Sequence, residues 1–169
     1  LIPSLVASDE FNRKKNEPAL PLVWQWNHNP DNSLWSLDQR KGYLRLTTGR
    51  VDNDIFMARN TLTQRTIGPE SSAITAIDVS NMKDGDCAGL MLLQKRFGWV
   101  GVKAGNGRKS IVMVRGQRDS ASVDQSIPLA QSTVYLKADC NFKEKADKAY
   151  FYYSLDGKSW TQIGSELNM

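Results

Sequence analysis

The sequence predicts an all-β protein folded as a two-sheet antiparallel β-sandwich, and three observations lead there. From residue 8 onward the chain breaks into short runs that are apolar or alternate apolar with polar, the period of a strand whose successive side chains point to opposite faces. No stretch of ten or more residues carries the apolar stripe of a helix, which recurs every three to four positions. Turn residues punctuate the runs, and Asn106-Gly107 and Asp156-Gly157 supply the positive φ angles that two-residue hairpins require. So many strands in one domain of this size bury their apolar faces by stacking one sheet on another.

Taken in order, the expected strands cover residues 8–11, 24–27, 35–38, 43–47, 61–65, 72–78, 87–94, 99–104, 110–115, 122–128, 134–140, 149–154 and 160–163. The stretch from Trp24 to Leu46 holds three of the five tryptophans and the only histidine. Within it Trp24 and Trp26, Trp35 and Leu37, and Leu44 and Leu46 each stand two apart. Asn29-Pro30-Asp31-Asn32 and Lys41-Gly42 lie between them, so the stretch reads as three strands with tight connections. Asn53-Asp54 falls in a longer loop, and Gly68-Pro69, Asp84-Gly85 and Phe97-Gly98 mark further turns. Residues 87–93 are nearly continuous in small and apolar side chains, as a strand covered on both faces would be. Val134, Leu136 and Ala138 alternate with Tyr135, Lys137 and Asp139, as in a strand covered on one face. Asn106-Gly107 is expected to join 99–104 to 110–115, and Asp156-Gly157 to join 150–154 to 159–163.

A chain of 169 residues fits a single domain and can bury a substantial core, about 70% of its unfolded surface at this size. With 40% hydrophobic and 24% charged residues, the composition is that of a globular protein rather than a disordered one. The net charge of +4 is scattered, with small groups at Arg13-Lys14-Lys15 and between Lys143 and Lys148, whereas nucleic-acid binders concentrate charge beside stacking aromatics. No nucleic-acid partner is expected. No apolar run approaches the roughly 20 residues of a membrane span, and residues 1–6 lack the basic flank and length of a signal peptide. No membrane partner is expected either, and any export signal would lie upstream. Cys87 and Cys140 both fall in predicted strands, where each serves as a small hydrophobe or the two pair in a disulfide.

Several of these segments carry a family resemblance. Ser8-Asp9-Glu10-Phe11, Trp24-Gln25-Trp26-Asn27-His28-Asn29-Pro30, Trp35-Ser36-Leu37, Gly42-Tyr43-Leu44-Arg45-Leu46 and the run from Ala58 to Arg65 resemble the C-terminal domain of glycoside hydrolase family 43 enzymes. Ala88-Gly89-Leu90 and the hairpin from Tyr152 to Trp160 are similar to the same domain. These enzymes are β-xylosidases and α-L-arabinofuranosidases, and the resemblance implies a concanavalin A-like jelly roll that accompanies a five-bladed catalytic propeller. Lys41 stands where the family pattern has proline before Gly42. Family sandwiches also run on to a closing strand, so the resemblance implies a sandwich lacking its last strands and a segment around Glu10 with only one neighbour. Both a bacterial cytoplasmic and a secreted location stay open.

Glycosidases need two carboxylates across a cleft. Asp9, Glu10, Asp52, Asp54, Asp78 and Asp86 lie at expected strand ends and turns, a distribution that picks out no pair. The resemblance places the catalytic carboxylates on the absent propeller, so no catalytic residue is assigned here. A lone histidine, no Gly-x-Ser-x-Gly and no paired cysteines leave no nucleophile triad or zinc site. Gly105-Asn106-Gly107 reads as a hairpin rather than a phosphate loop. Calcium is the one cofactor kept open, with Glu10 and Asp9 as its candidate ligands.

Sugar binding needs a flat apolar ring beside hydrogen-bonding groups. Among the tryptophans and tyrosines, most of which belong in a core, Trp26 is the one with polar side chains clustered next to it: Asn27, His28, Asn29 and Asp31. A second candidate follows from the resemblance, in which a loop of the sandwich reaches the rim of the propeller's pocket. Residues 55–62 correspond to it, and the apolar Phe56, Met57 and Leu62 read either as that rim or as sandwich filling. The expected function is a non-catalytic accessory domain of an enzyme acting on xylan, arabinoxylan side chains or xylo-oligosaccharides, its partners the propeller and a plant cell-wall oligosaccharide. The alternatives are a free-standing carbohydrate-binding module and a structural interaction domain without sugar affinity.

Overall fold

The computed structural model describes residues 4–14, 17, 19–118 and 120–169; of the positions singled out above, residues 1–3 and Lys15 lie outside the described residues. The backbone forms two compact units, Leu1–Thr66 and Ile67–Met169. No α-helix occurs among the described residues, and every strand pairing is antiparallel.

The first unit contains β1 (Gln25–Trp26), β2 (Trp35–Ser36), β3 (Arg45–Leu46), a 3-10 turn (Ile55–Met57) and β4 (Leu62–Thr63). β1 pairs with β4, setting Trp26 opposite Leu62, and β2 pairs with β3, setting Trp35 opposite Leu46. These ladders are shorter than the expected strands because polar side chains take the backbone out of them. Ser36 Oγ accepts the amides of Asp38 and Gln39, at 3.1 and 3.2 Å, and so ends β2. The expected strand at 8–11 does not form. Asp9 Oδ1 accepts the Phe11 amide at 2.8 Å, and Phe11 has a φ of 52°, a left-handed conformation that no strand continues. The expectation that the segment around Glu10 is a strand with one neighbour fails with it, since residues 8–11 join no ladder.

The second unit is the sandwich. Its strands are β5 (Glu70–Asp78), β6 (Cys87–Leu92), β7 (Arg96–Gly105), β8 (Arg108–Gln117), β9 (Ser120–Leu129), β10 (Thr133–Asn141), β11 (Lys148–Ser154), β12 (Thr161–Gln162) and β13 (Leu167–Asn168). One sheet runs β12-β11-β10-β5 with β13 also on β11; the other runs β6-β7-β8-β9. Asn106 and Gly107, at φ 52° and 68°, make the expected two-residue hairpin between β7 and β8.

The core lies between these sheets and includes Val100, Val102, Ile111, Met113, Val134, Leu136, Ala138, Phe151 and Ile163. On β10 the alternation is as the sequence predicts: Val134, Leu136, Ala138 and Cys140 are buried while the residues between them are half-exposed. The strand covered on both faces is β8, buried at four consecutive residues from Ile111 to Val114, and not β6, which is a sheet edge with Cys87 to Gly89 exposed. Small, apolar composition at 87–93 reflects a tight edge rather than double burial.

Two turn assignments also change. Phe97-Gly98 lies inside β7, where Gly98 serves close packing: a Cβ there would meet Leu167 and Phe151 at 2.9 Å. Asp156-Gly157 is not a two-residue hairpin, because Tyr153 pairs with Thr161 and leaves a longer loop. The reason is Asp156, whose carboxylate accepts the amides of Lys158 and Ser159 at 2.8 and 2.7 Å and the hydroxyl of Ser154 at 2.9 Å. Cys87 and Cys140 are both free thiols, and burial, then the charge of Asp139, pushes the Cys140 thiol up to about 11.

Candidate functional site

In the first unit, two consecutive side chains of the predicted polar cluster converge on one backbone oxygen. Asn27 Nδ2 donates to the Phe56 carbonyl at 2.9 Å, and His28 Nε2 lies 2.5 Å from the same oxygen. The Asn27 amide donates to the Thr61 carbonyl at 3.0 Å, which carries the β1–β4 pairing forward to this point. From the other side Asp54 caps the 3-10 turn, accepting the Phe56 amide at 2.9 Å. Arg50 Nη2 donates to the Met57 carbonyl at 3.1 Å and pairs with Asp52 at 2.6 Å. The turn 55–57 is thus held from three directions, and it presents Met57 at 51% exposure, with Val51 nearby in sequence at 92%.

The fold therefore brings Trp26, His28, Phe56 and Leu62 together. Trp26 faces Leu62 across the ladder, and its ring packs at 5.4 Å and a 52° tilt against Trp35. Phe56 and Leu62 are half-buried rather than exposed, and Met57 is the apolar side chain displayed. Asn29 and Asp31 do not join them. Asn29 is exposed, and Asp31 turns back on its own loop, accepting the hydroxyl and then the amide of Ser33 at 2.6 and 2.9 Å, which lowers its pKa.

Asp9 is the most heavily bonded carboxylate of this unit. Arg13 grips it with both terminal guanidinium nitrogens at 2.8 and 2.6 Å, the Trp24 indole donates at 2.8 Å and the Phe11 amide at 2.8 Å. The Arg13 bond first, then the amide and indole, hold its pKa below the ordinary carboxylate value against the opposing effect of burial. This arrangement does not fit a calcium ion, because a hard cation would have to displace a bidentate guanidinium. Glu10 is exposed, and no group of three His, Cys, Asp or Glu suited to a metal occurs among the described residues.

In the sandwich unit, Asp124 is depressed by the amide and hydroxyl of Ser165 and then by Arg115, and Glu166 by Lys148 and then Tyr150. Asp156 is depressed strongly by the amides of Ser159 and Lys158. A general acid for glycoside cleavage needs a carboxyl raised toward neutrality, and the surroundings of Asp9, Asp31, Asp124, Asp156 and Glu166 push each of them the other way.

Sequence reasoning passed over the outer face of the five-stranded sheet. Lys137 Nζ sits 4.2 Å over the Tyr152 ring and 5.5 Å from that of Trp160, while pairing with Asp139 at 2.9 Å. Ile74, opposite Lys137, is 61% exposed. The alternation of Tyr135, Lys137 and Asp139 was the available signal, but it marks an outer face without saying which rings gather there.

A family model for the β-xylosidase C-terminal concanavalin A-like domain matches residues 8–169. A β-xylosidase from Formosa agariphila is 29% identical over 177 residues, covering 92% of this chain and 28% of that protein. A solved bifunctional GH43-CE protein of Bacteroides eggerthii matches at 60% identity and a TM-score of 0.96, over 100% of this chain and 22% of that one. A solved GH43 glycoside hydrolase with an engineered active site, displaying both endo-xylanase and exo-arabinofuranosidase activity, matches at 31% identity and a TM-score of 0.86, over 100% of this chain and 35% of that one. The chain spans about a quarter of the length of the curated relatives it matches. By its sequence and its strands alike, this chain belongs to the family of β-xylosidase C-terminal concanavalin A-like domains found in GH43 enzymes.

Proposed function

We propose that the chain is a single non-catalytic accessory domain of a family 43 glycoside hydrolase acting on xylan, arabinoxylan side chains or xylo-oligosaccharides. In this reading it packs on the catalytic propeller and shapes the substrate pocket. The observation that carries the reading is the 55–57 turn, tied down through the Phe56 carbonyl by Asn27 and His28 while Met57 projects into solvent. A turn that rigid has little entropy left to lose when it docks, and an exposed apolar tip on it suits a protein contact. The lowered carboxylates fit a hydrolytic general acid carried elsewhere in the enzyme. The 52° tilt of Trp26 on Trp35 favours packing over a flat sugar platform in this unit.

Titration of the chain with xylo- and arabino-oligosaccharides, read by tryptophan fluorescence, separates this reading from a free-standing binding module. The accessory reading expects no change at millimolar neutral sugar and no hydrolysis of an aryl xyloside by the chain alone. Saturable quenching by those sugars favours the binding module instead, and hydrolysis overturns the assignment of catalysis to the propeller.

A further inference from the structure

We propose that a recess at one end of the sandwich binds a hexuronate, a sugar ring bearing one carboxylate. The recess has a volume of about 370 Å³, within the about 300–1,000 Å³ of small-ligand sites, and Arg96, Arg115, Gln117, Ser120, Ser122 and Leu167 line it. Strand register accounts for the grouping. Arg96 stands opposite Gln117, which stands opposite Ser120; in the next row of the same face Gly98 stands opposite Arg115, which stands opposite Ser122.

This is the core-facing side of the sheet, since a Cβ on Gly98 would point at Phe151 and Leu167. Farther along β8 the same side carries Ile111 and Met113, both fully buried. At Arg115 it changes from apolar to cationic, and the face opens to solvent with Arg96 exposed. Its ion pair with Asp124 accounts for Arg115 at this end of the inner face, and no partner among the described residues accounts for the guanidinium of Arg96 beside it. Diagonal neighbours on adjacent strands lie about 7–8 Å apart at Cα, so two side chains as long as arginine can close on one carboxylate.

The surroundings hold one cation in place and leave the other available. Asp124, the extra residue at the irregularity in the β8–β9 register, turns inward and pairs with Arg115 Nη2 at 2.7 Å, while accepting the amide and hydroxyl of Ser165 at 2.6 and 2.7 Å. The Arg96 guanidinium makes no hydrogen bond or ion pair with another described residue. Glu166 also lines the recess, but Lys148 at 2.8 Å and the Tyr150 hydroxyl at 2.7 Å engage its carboxylate. The planar guanidinium fork suits a carboxylate. Ser120, Ser122 and the Gln117 amide supply partners for ring hydroxyls, and Leu167 an apolar wall for a C–H edge. The choice of a sugar acid over another carboxylate rests on the reading that the chain accompanies a glycan-cleaving enzyme.

The test is amide chemical-shift titration of the chain with methyl glucuronide, methyl glucoside and inorganic phosphate. Methyl glucuronide is expected to shift Gly116, Ser120 and Ser122 saturably at millimolar concentration, and the other two probes to leave them in place. Arg96→Ala is expected to weaken the uronide at least tenfold while preserving the remaining spectrum, and Ser122→Ala to weaken it severalfold. No shift with the uronide, equal shifts with the glucoside, equally tight binding of phosphate, or an unaltered Arg96→Ala response would each overturn the proposal. No tryptophan lines the recess, so the fluorescence titration of neutral sugars and this titration fail independently.

Discussion

His28 Nε2 lies 2.5 Å from the carbonyl oxygen of Phe56, joining residues 28 apart in sequence. A carbonyl only accepts, so Nε2 must carry the proton, which sets the tautomer of the ring. Asn27 donates to the same oxygen, so the 55–57 turn depends on a neighbouring pair of side chains acting on one acceptor.

His28→Ala is predicted to cost about 1 kcal/mol of stability, the usual net worth of one hydrogen bond, because Asn27 still satisfies the carbonyl. Asn27→Ala together with His28→Ala is predicted to cost more than the sum of the two, since the second loss leaves the acceptor without either donor. Urea unfolding of the single and double variants measures this.

Acid should unfold the chain through its lowered carboxylates. A group whose folded pKa lies below its unfolded value of about 3.9 adds stability above that value and loses it as pH falls through the folded one. Asp9 is such a group, held down first by Arg13 and then by the Phe11 amide and Trp24 indole. Asp9→Asn is predicted to lower the thermal midpoint at pH 7 and to shrink its fall between about pH 5 and pH 2. A midpoint that dropped with acid as steeply in the variant would contradict this.

Gly98→Val should be overpacked, because the first carbon of a side chain there already meets Leu167 and Phe151 at 2.9 Å. The expected cost is about 1–3 kcal/mol. Gly105→Ala is the control: nothing lies within 4 Å of its Cβ position, and its stability is expected within about 0.5 kcal/mol of the parent. Thermal unfolding of the two variants side by side gives the comparison.

The sandwich was legible where residues answer to a simple period. Val134, Leu136 and Ala138 alternate and are buried, and Asn106-Gly107 makes its hairpin. It was illegible where one side chain diverts the backbone. Asp9 bends Phe11 into a positive φ, Ser36 stops β2, and Asp156 holds a longer loop than its Asp-Gly pair suggests. Composition also misled at 87–93, since an edge strand and a doubly buried one are both rich in small apolar residues. Of the candidate site, the nearness of Trp26 and His28 follows from sequence adjacency. Their meeting with Phe56 and Leu62 needs the β1–β4 register, which no local pattern encodes.

The central claim is that the turn carrying Met57 completes a pocket on another domain. It is tested most directly by kcat/KM for a short xylo-oligosaccharide, measured on the full-length enzyme that bears this domain with Met57→Asp against the parent. A charge on an apolar docking tip is predicted to lower kcat/KM at least tenfold, with the folding of the domain retained, whereas an unchanged kcat/KM in a folded variant would contradict the account.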